Sequence, residues 1–417
     1  MDHATFEALL SPLGQSAIAA AAELNPTEES FLACLTRLQK QFPSGLAKAA
    51  LETGILRVKA RGKFSRADAM YFTREALEQA SGEMIARYRA ERYQSFASVA
   101  DFGCGIGGDT LGLAAHCPVA AADVDPLRLA MAAQNLAAYG CRERVTLVHG
   151  DLTRMQLPTV DAIFFDPARR AEGRRKFSVR DYQPPLAVVC EWQTHTPAIG
   201  VKISPGVDLR ELADDEGRAT GAPVFGPPSS VEIEFISVHG ELKECALWFG
   251  PLKTATRRAT LLPGRHTLIS NPQSSISLGP PLRYLYEPDP AILRAGLVTT
   301  LAAQLGAHQL DADIAYLTAG ALTPTPFARA FVIEEAFPFQ LKRLRERLRA
   351  LRVGQVTVKK RGSPLAPEEL IHKLRLSAVS GPESRVVFLT HVRGEPYVLI
   401  GQFLNARAAT SAARTSG

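Results

Sequence analysis

The chain has no uninterrupted apolar stretch of the ~18 residues that a membrane-spanning helix needs, so no span is expected. Its start, Met1-Asp2-His3, lacks the basic and then apolar segments of a secretory leader. Cysteine is scarce: Cys34, Cys104, Cys117, Cys141, Cys190 and Cys245 are scattered, with no CxxC pair and no His/Cys cluster at zinc spacing. That pattern argues against a disulfide framework and a structural metal, and it predicts reduced thiols in a cytoplasmic protein. No sign of charge dominates either. The net charge of +6 over 417 residues permits an anionic partner without demanding one. No internal repeat stands out. What is present is an ordinary globular composition, 46% hydrophobic and 22% charged, which supplies a core for each domain. The length suits two or three domains of ~100–200 residues.

Residues 1–96 read as a helical domain. Phe6, Leu9 and Leu10, and then Phe31, Leu32, Leu35 and Leu38, recur at helical spacing. Asn25-Pro26-Thr27-Glu28 and Thr73-Arg74-Glu75 have the capping side chain and early acid of helix starts. From residue 98 the pattern changes. Ser98–Phe102, Val119–Asp123, Val145–Val148, Ala162–Phe165 and Ile199–Ile203 are strand-like. Helical stretches at Thr110–Ala115, Pro126–Tyr139 and Pro185–Gln193 separate several of them. Such alternation predicts an α/β domain, residues 97–263, with a parallel sheet between helices. Val231–Val238 and Leu242–Phe249, around His239-Gly240-Glu241, read as a terminal antiparallel hairpin. Residues 264–282 look like a linker, residues 283–404 a second α+β domain, and Ala408–Gly417 a frayed tail.

The first candidate site is Asp101-Phe-Gly-Cys-Gly-Ile-Gly-Gly-Asp109, between a strand and a helix. Gly103, Gly105 and Gly107 let the backbone turn sharply and approach a ligand. Gly103, Gly105 and Gly108 also satisfy the dinucleotide pattern, so NAD is a competitor at this step. The acids shift the balance. Asp101, just before the glycines, would repel a pyrophosphate but suits an ammonium. Asp123 ends the second strand, where an acid takes ribose hydroxyls in either cofactor. Asp151 follows Gly150 after the third strand, where it can accept from the exocyclic amine of adenine. Asp125-Pro126 reads as a helix cap and first turn, and Asp109 as an acid favoured at a helix N-terminus.

The fourth strand ends in Phe164-Phe165-Asp166-Pro167-Ala168-Arg169-Arg170. Ligands of open α/β sheets lie at the carboxyl ends of the strands, so Asp166 is placed to face an acceptor. Its carboxylate and a neighbouring backbone carbonyl can hold the two hydrogens of an exocyclic amine, which aims the nitrogen lone pair.

Together, Asp101–Thr110, Ala122–Asn135, Val148–Leu152 and Asp161–Arg169 resemble class I (Rossmann-like) S-adenosylmethionine-dependent methyltransferases, and among them the trimethylguanosine synthase group and other RNA base-amine methyltransferases. Phe72–Ser81, Val201–Gly206, Tyr284–Leu297 and Val356–Gly362 resemble bacterial methyltransferases with a C-terminal THUMP-like domain. The resemblance implies S-adenosyl-L-methionine as cofactor, held by Asp101, Gly103, Gly105, Gly107, Asp123, Val124, Asp151 and Leu152, with Thr73 or Arg74 near its carboxylate. It implies Asp166, Pro167 and Arg169 as the residues that orient the acceptor. It further implies tRNA or rRNA as partner.

Ala168 and Arg169 stand where the group has a second Pro and a base-stacking aromatic; Arg169, Phe177 or Tyr182 is then the candidate stacker. Pyrimidine-C5 chemistry would need a cysteine near Ser204-Pro205, and none is there. Basic side chains crowd Arg169–Arg180, Lys342–Arg349 and Lys359–Arg361. They suit phosphates, or else they are solvated surface. The other readings are a small-molecule or protein methyltransferase, and a non-catalytic RNA-binding protein that keeps the cofactor fold.

Overall fold

The structure, a computed structural model, describes residues 1–168, 170–171, 174–175, 178–212, 224–225, 228–376 and 381–404. It divides into two compact units: Met1–Glu232 with Glu244–Thr254, and Ile233–Lys243 with Ala255–Gly417.

The first unit opens with helices α1 (His3–Leu10), α2 (Pro12–Glu23), α3 (Phe31–Leu38), α4 (Ser44–Ala60), α5 (Arg74–Gln79) and α6 (Glu83–Ala90). Asp2 caps α1 by accepting from the Thr5 N–H at 2.8 Å, and Ser11 caps α2, which has Pro12 in its first turn. α3 starts later than Asn25-Pro26-Thr27-Glu28 suggests. Thr27 and Ser30 exchange hydrogen bonds with each other's backbone N–H (2.9 and 3.1 Å), a closed local loop that delays the helix to Phe31.

Next come β1 (Val99–Phe102), α7 (Gly108–Leu113), β2 (Val119–Asp123), α8 (Pro126–Ala138), β3 (Val145–His149) and β4 (Ala162–Phe165). The two-residue strands β5 (Arg170–Ala171) and β6 (Arg174–Arg175) follow, then α9 (Val188–Trp192), β7 (Ala198–Ile203) and α10 (Leu209–Leu212). Strands β3, β2, β1, β4 and β7 lie side by side in that order and are parallel. Strand β9 (Glu241–Trp248) pairs antiparallel with β7, from Gly200↔Trp248 to Ile203↔Cys245. The expected parallel sheet finished by an antiparallel strand is therefore present. Every residue of β1, β4 and β7 is buried, as sheets covered on both faces require. Gly200 allows the core to close: a Cβ there would meet the Tyr93 hydroxyl at 2.2 Å and the Trp248 ring at 2.6 Å. The connection from β1 to β2 leads one way across the sheet and the one from β3 to β4 returns past β1. The carboxyl ends of β1 and β4 thus flank a topological switch point, where such sheets bind ligands.

In the second unit, β8 (Glu232–Val238) runs parallel to β10 (Arg257–Leu262), which pairs antiparallel with β11 (His266–Ile269). His239 and Gly240, at φ of 52° and 80°, turn the chain from β8 into β9. β11 lies inside the stretch that reads as a linker; its short His-Thr-Leu-Ile run finds a partner in β10, which no local pattern announces. A seven-stranded sheet follows, in the order β13 (His308–Asp311), β14 (Ile314–Ala319), β12 (Tyr284–Pro288), β15 (Ala328–Pro338), β18 (Glu395–Phe403), β17 (Glu383–Val392), β16 (Val353–Lys360). Helices α11 (Pro290–Arg294), α12 (Val298–Leu305), α13 (Leu341–Ala350) and α14 (Pro367–Leu374) complete it. Leu344 and Leu348 of α13 and Leu370 and Leu374 of α14 share a core with Val387 and Val398. Among the described residues, no helix is long and apolar enough to cross a membrane.

Candidate active site

Beyond β1 the chain crosses the end of β2: the N–H groups of Gly103 and Cys104 both donate to the Ala122 carbonyl (2.9 and 3.1 Å). Gly103 takes φ +77°, and a Cβ there would lie 2.3 Å from the backbone oxygen of Asp166. Only glycine lets the loop approach the fourth-strand motif this closely. Gly105 donates its N–H to Asp123 Oδ2 at 2.8 Å, and Asp123 Oδ1 accepts from the Asp125 N–H at 2.9 Å. Asp123 thus ties the loop to the end of β2. Burial pushes its carboxyl above the ordinary range, against the pull of these two N–H groups. Asp125 caps α8 through the N–H groups of Leu127 and Arg128, as expected of it.

A cavity of about 810 Å³ opens at the carboxyl ends of these strands. Its walls are the glycine loop, Asp123–Asp125, Gly150–Thr153, Phe165–Ala168, Gln183–Pro185, the end of α5 with Ala80 and Ser81, and Lys202. Of the residues expected to hold a cofactor, Gly103, Gly105, Asp123, Val124, Asp151 and Leu152 line it. Asp151 Oδ1 is engaged by the Thr153 N–H and hydroxyl, which hold its carboxyl below the ordinary range. Gly107, at φ +87°, is the N-cap position of α7 and is not on the wall. Thr73 is not on the wall either, and its hydroxyl caps α5 through the Ala76 N–H at 3.1 Å. Arg74 pairs with Glu28 at 2.8 Å and is exposed.

Asp101 is wholly buried beneath the loop. Its Oδ2 accepts from the Thr110 hydroxyl, and its Oδ1 has no partner among the described residues. Burial, with the nearby Asp109 carboxylate, pushes its carboxyl up to about 8. It belongs to a buried polar network that local patterns do not reveal. Arg89 on α6 pairs with Asp109 and, at 3.1 Å, with Glu244 on β9, and it lies over the Phe164 ring. Ser81 bridges Arg89 and Asp109. Lys202 on β7 donates to Asp166 Oδ2 at 2.6 Å and to the Gln79 carbonyl at 3.3 Å. Arg89 and Lys202 thus sit among Asp109, Glu244 and Asp166, with Asp101 beside them holding its proton at neutral pH, and Arg128 adds a further cation to the cavity wall.

The Asp101 shift has a stability consequence. The folded state holds the proton from the ordinary carboxyl range up to about 8. This group's contribution is therefore full at acid pH and is lost as pH rises through about 8. In thermal melts without cofactor, Asp101→Asn is expected to gain on the wild type by a few degrees between pH 5 and pH 9. A constant difference across that range would contradict the assignment.

Asp166 continues β4, its N–H donating to the Phe102 carbonyl at 2.9 Å. Ala168 and Gln183 exchange backbone hydrogen bonds (2.9 and 3.1 Å), which brings Gln183-Pro184-Pro185 to the cavity beside Pro167. Arg169 and Phe177 lie outside the described residues. Tyr182 corrects one expectation: it is 1% exposed, its hydroxyl accepts from the Ser204 N–H, and its ring has no face open for stacking on a base. Lys202 is the functional candidate that motif reading misses. Its signal is present in the sequence, since a single lysine interrupts the apolar run Ile199–Ile203 of a fully buried strand.

Residues 97–181 match the RNA cap guanine-N2 methyltransferase family, residues 328–402 the THUMP domain-like family, and residues 2–60 a domain family of unknown function. An uncharacterized S-adenosylmethionine-dependent methyltransferase of Mycobacterium tuberculosis (strain H37Rv) is 35% identical over 339 residues, covering 78% of this chain and 88% of the relative. Trimethylguanosine synthase of Schizosaccharomyces pombe is 30% identical over 125 residues, covering 26% of this chain and 51% of that protein. The crystal structure of a presumed methyltransferase from Porphyromonas gingivalis W83 covers 94% of this chain and 99% of its own, with a TM-score of 0.74 and 23% identity, a likeness of fold.

Proposed function

The chain belongs to the S-adenosylmethionine-dependent methyltransferases that carry a THUMP-like domain, relatives of the RNA cap guanine-N2 enzymes, and from that premise we propose that it methylates an exocyclic base amine in RNA, tRNA or rRNA. The observation that carries this reading is the placement of Asp166: a carboxylate at the carboxyl end of β4, 24% exposed, on the wall of the cavity that Asp123 and the glycine loop also line. Bound S-adenosylmethionine supplies an electrophilic methyl group on a positively charged sulfur. In this reading the loop backbone at Gly103 and Gly105 cradles the cofactor, Asp123 accepts from its ribose hydroxyls and Asp151 from its adenine amine. Asp101, beneath the glycine loop with one oxygen unpartnered among the described residues, fits the ammonium of the cofactor's methionine moiety. Asp166 accepts a hydrogen of the acceptor amine, and Pro167 fixes the backbone beside it. Proximity and orientation then do most of the catalytic work, since a methylated amine sheds its extra proton without a strong base.

We divide the chain functionally into a helical segment at 1–96, a methyltransferase segment at 97–263 and an RNA-binding segment at 283–404. The family matches at 97–181 and 328–402 support this division. On α13, Arg347 is tied to Glu335, Arg345 to the Lys373 carbonyl and Arg343 to the Phe337 ring. Lys342, Arg349 and Lys360 are exposed and suit phosphates.

The test is transfer of isotopically labelled methyl groups to total RNA from cells that lack the protein, followed by nucleoside mass spectrometry. Label on one base amine is expected. Label confined to protein or small molecules would overturn the RNA assignment. Reversing the charge of Lys342, Arg349 and Lys360 together is expected to weaken RNA binding about tenfold or more at low salt and to flatten its salt dependence. Equal slopes in variant and wild type would remove these residues from the interface.

A further inference from the structure

Asp166 has two carboxylate oxygens, and the structure treats them differently. Oδ2 accepts from the Lys202 ammonium at 2.6 Å, while Oδ1 has no side-chain donor among the described residues. The pairing follows from strand register. Phe165 on β4 lies opposite Val201 on β7, so the next residue of each strand, Asp166 and Lys202, meets its counterpart at the mouth of the sheet. Lys202 itself cannot wander. Its side chain is 7% exposed and its ammonium also donates to the Gln79 carbonyl at the end of α5. Asp109, Glu244 and Arg89 face it from α7, β9 and α6.

We propose, building on the base-amine reading above, that Lys202 is a positioning residue for methyl transfer: it pins Oδ2 of Asp166 and leaves Oδ1 as the one carboxylate acceptor offered to the incoming amine. A carboxylate free to rotate would offer either oxygen in several orientations. A pinned one fixes the direction of the N–H bond, and with it the direction of the nitrogen lone pair. The same geometry denies Lys202 the part of general base. Its ammonium is surrounded by Asp166, Asp109 and Glu244, which raise its pKa against the effect of burial and hold its proton. The arrangement suits a nucleophile that is already neutral, an amine. No proton passes through Lys202 during the transfer.

The experiment compares Lys202→Met, Asp166→Asn and the double variant in full-length protein. With Lys202→Met, kcat is expected to fall about a hundredfold, the cost of a misdirected acceptor. KM for RNA and the calorimetric Kd for S-adenosylmethionine should change by less than about threefold, because the ammonium is already engaged by Asp166 and the Gln79 carbonyl. The double variant should be no slower than Asp166→Asn alone, since both changes remove one device. A Lys202→Met kcat near the wild-type value, or multiplicative losses in the double variant, would overturn the proposal. A second measurement is independent of turnover and of how Lys202→Met folds. In ¹⁵N-lysine-labelled wild-type protein, a slowly exchanging ammonium resonance is expected that vanishes in Asp166→Ala. Its absence, or its persistence in the variant, would sink the pairing. If the wild type labels no RNA, the acceptor assignment falls while the ammonium measurement still decides the pairing.

Discussion

Replacing Asp166 by alanine is expected to leave a protein that binds S-adenosylmethionine at close to the wild-type Kd but whose kcat is lower by about 10³-fold. The change removes the only side-chain carboxylate at the carboxyl end of β4 and, in the proposed mechanism, the acceptor for the amine hydrogen. Losing an orienting hydrogen bond costs about 10²–10³ in rate, and the misdirected nucleophile adds to that. The same change strands the Lys202 ammonium, which is 7% exposed and loses its 2.6 Å partner. Breaking a buried ion pair from one side costs roughly 3 kcal/mol, so the melting temperature should drop as well. Asp166→Asn separates the two effects. It keeps the shape and an acceptor oxygen for Lys202 but loses the charge, and it should recover most of the stability and little of the rate. Calorimetry with the cofactor, single-turnover kinetics and thermal melts check the three parts. If Asp166→Ala still methylates at near wild-type rate, Asp166 is not the acceptor-orienting group.

Some of this site is legible in the amino-acid sequence, and the reason is local. The run Asp101–Asp109 is a strand end, a glycine turn and a helix start in consecutive residues, and Asp123 and Asp166 end strands of the same parallel sheet. Strand ends that carry acids are visible in sequence because the period changes there. The partners of Lys202, Arg89 and Glu244 cannot be found that way. The Lys202–Asp166 bond joins residues 36 apart, and Arg92 reaches Glu232 across 140. Such partners are chosen by strand register and helix docking, which no single segment encodes. Tyr182 misleads for a related reason. An aromatic in a basic loop looks available for stacking, yet its hydroxyl finds the Ser204 N–H and its ring goes into the core. β11 shows the converse case, a four-residue run too short to announce a strand until β10 is beside it.

The cofactor side yields the other large effect. Asp123→Ala should raise the Kd for S-adenosylmethionine by about a hundredfold or more. Two charge-assisted hydrogen bonds to ribose hydroxyls contribute about 3 kcal/mol or more together, and ~1.4 kcal/mol is a factor of ten. A further loss is structural. Asp123 accepts from the Gly105 and Asp125 N–H groups at 2.8 and 2.9 Å, so alanine frees both donors and unties the glycine loop from the end of β2. Asp123→Asn tells the two losses apart. One amide oxygen can replace one of those acceptor sites, but the NH₂ group must face the other N–H, so the loop is half restored and the ribose contact is not. Its Kd should therefore lie nearer to that of the alanine variant than to the wild type. NAD serves as the control ligand on the wild type. Its pyrophosphate would meet Asp109 and Asp166, whose pairing already engages Arg89 and Lys202, and no heat of binding is expected. Tight NAD binding, or cofactor affinity indifferent to Asp123, would mean that the glycine loop serves a different ligand.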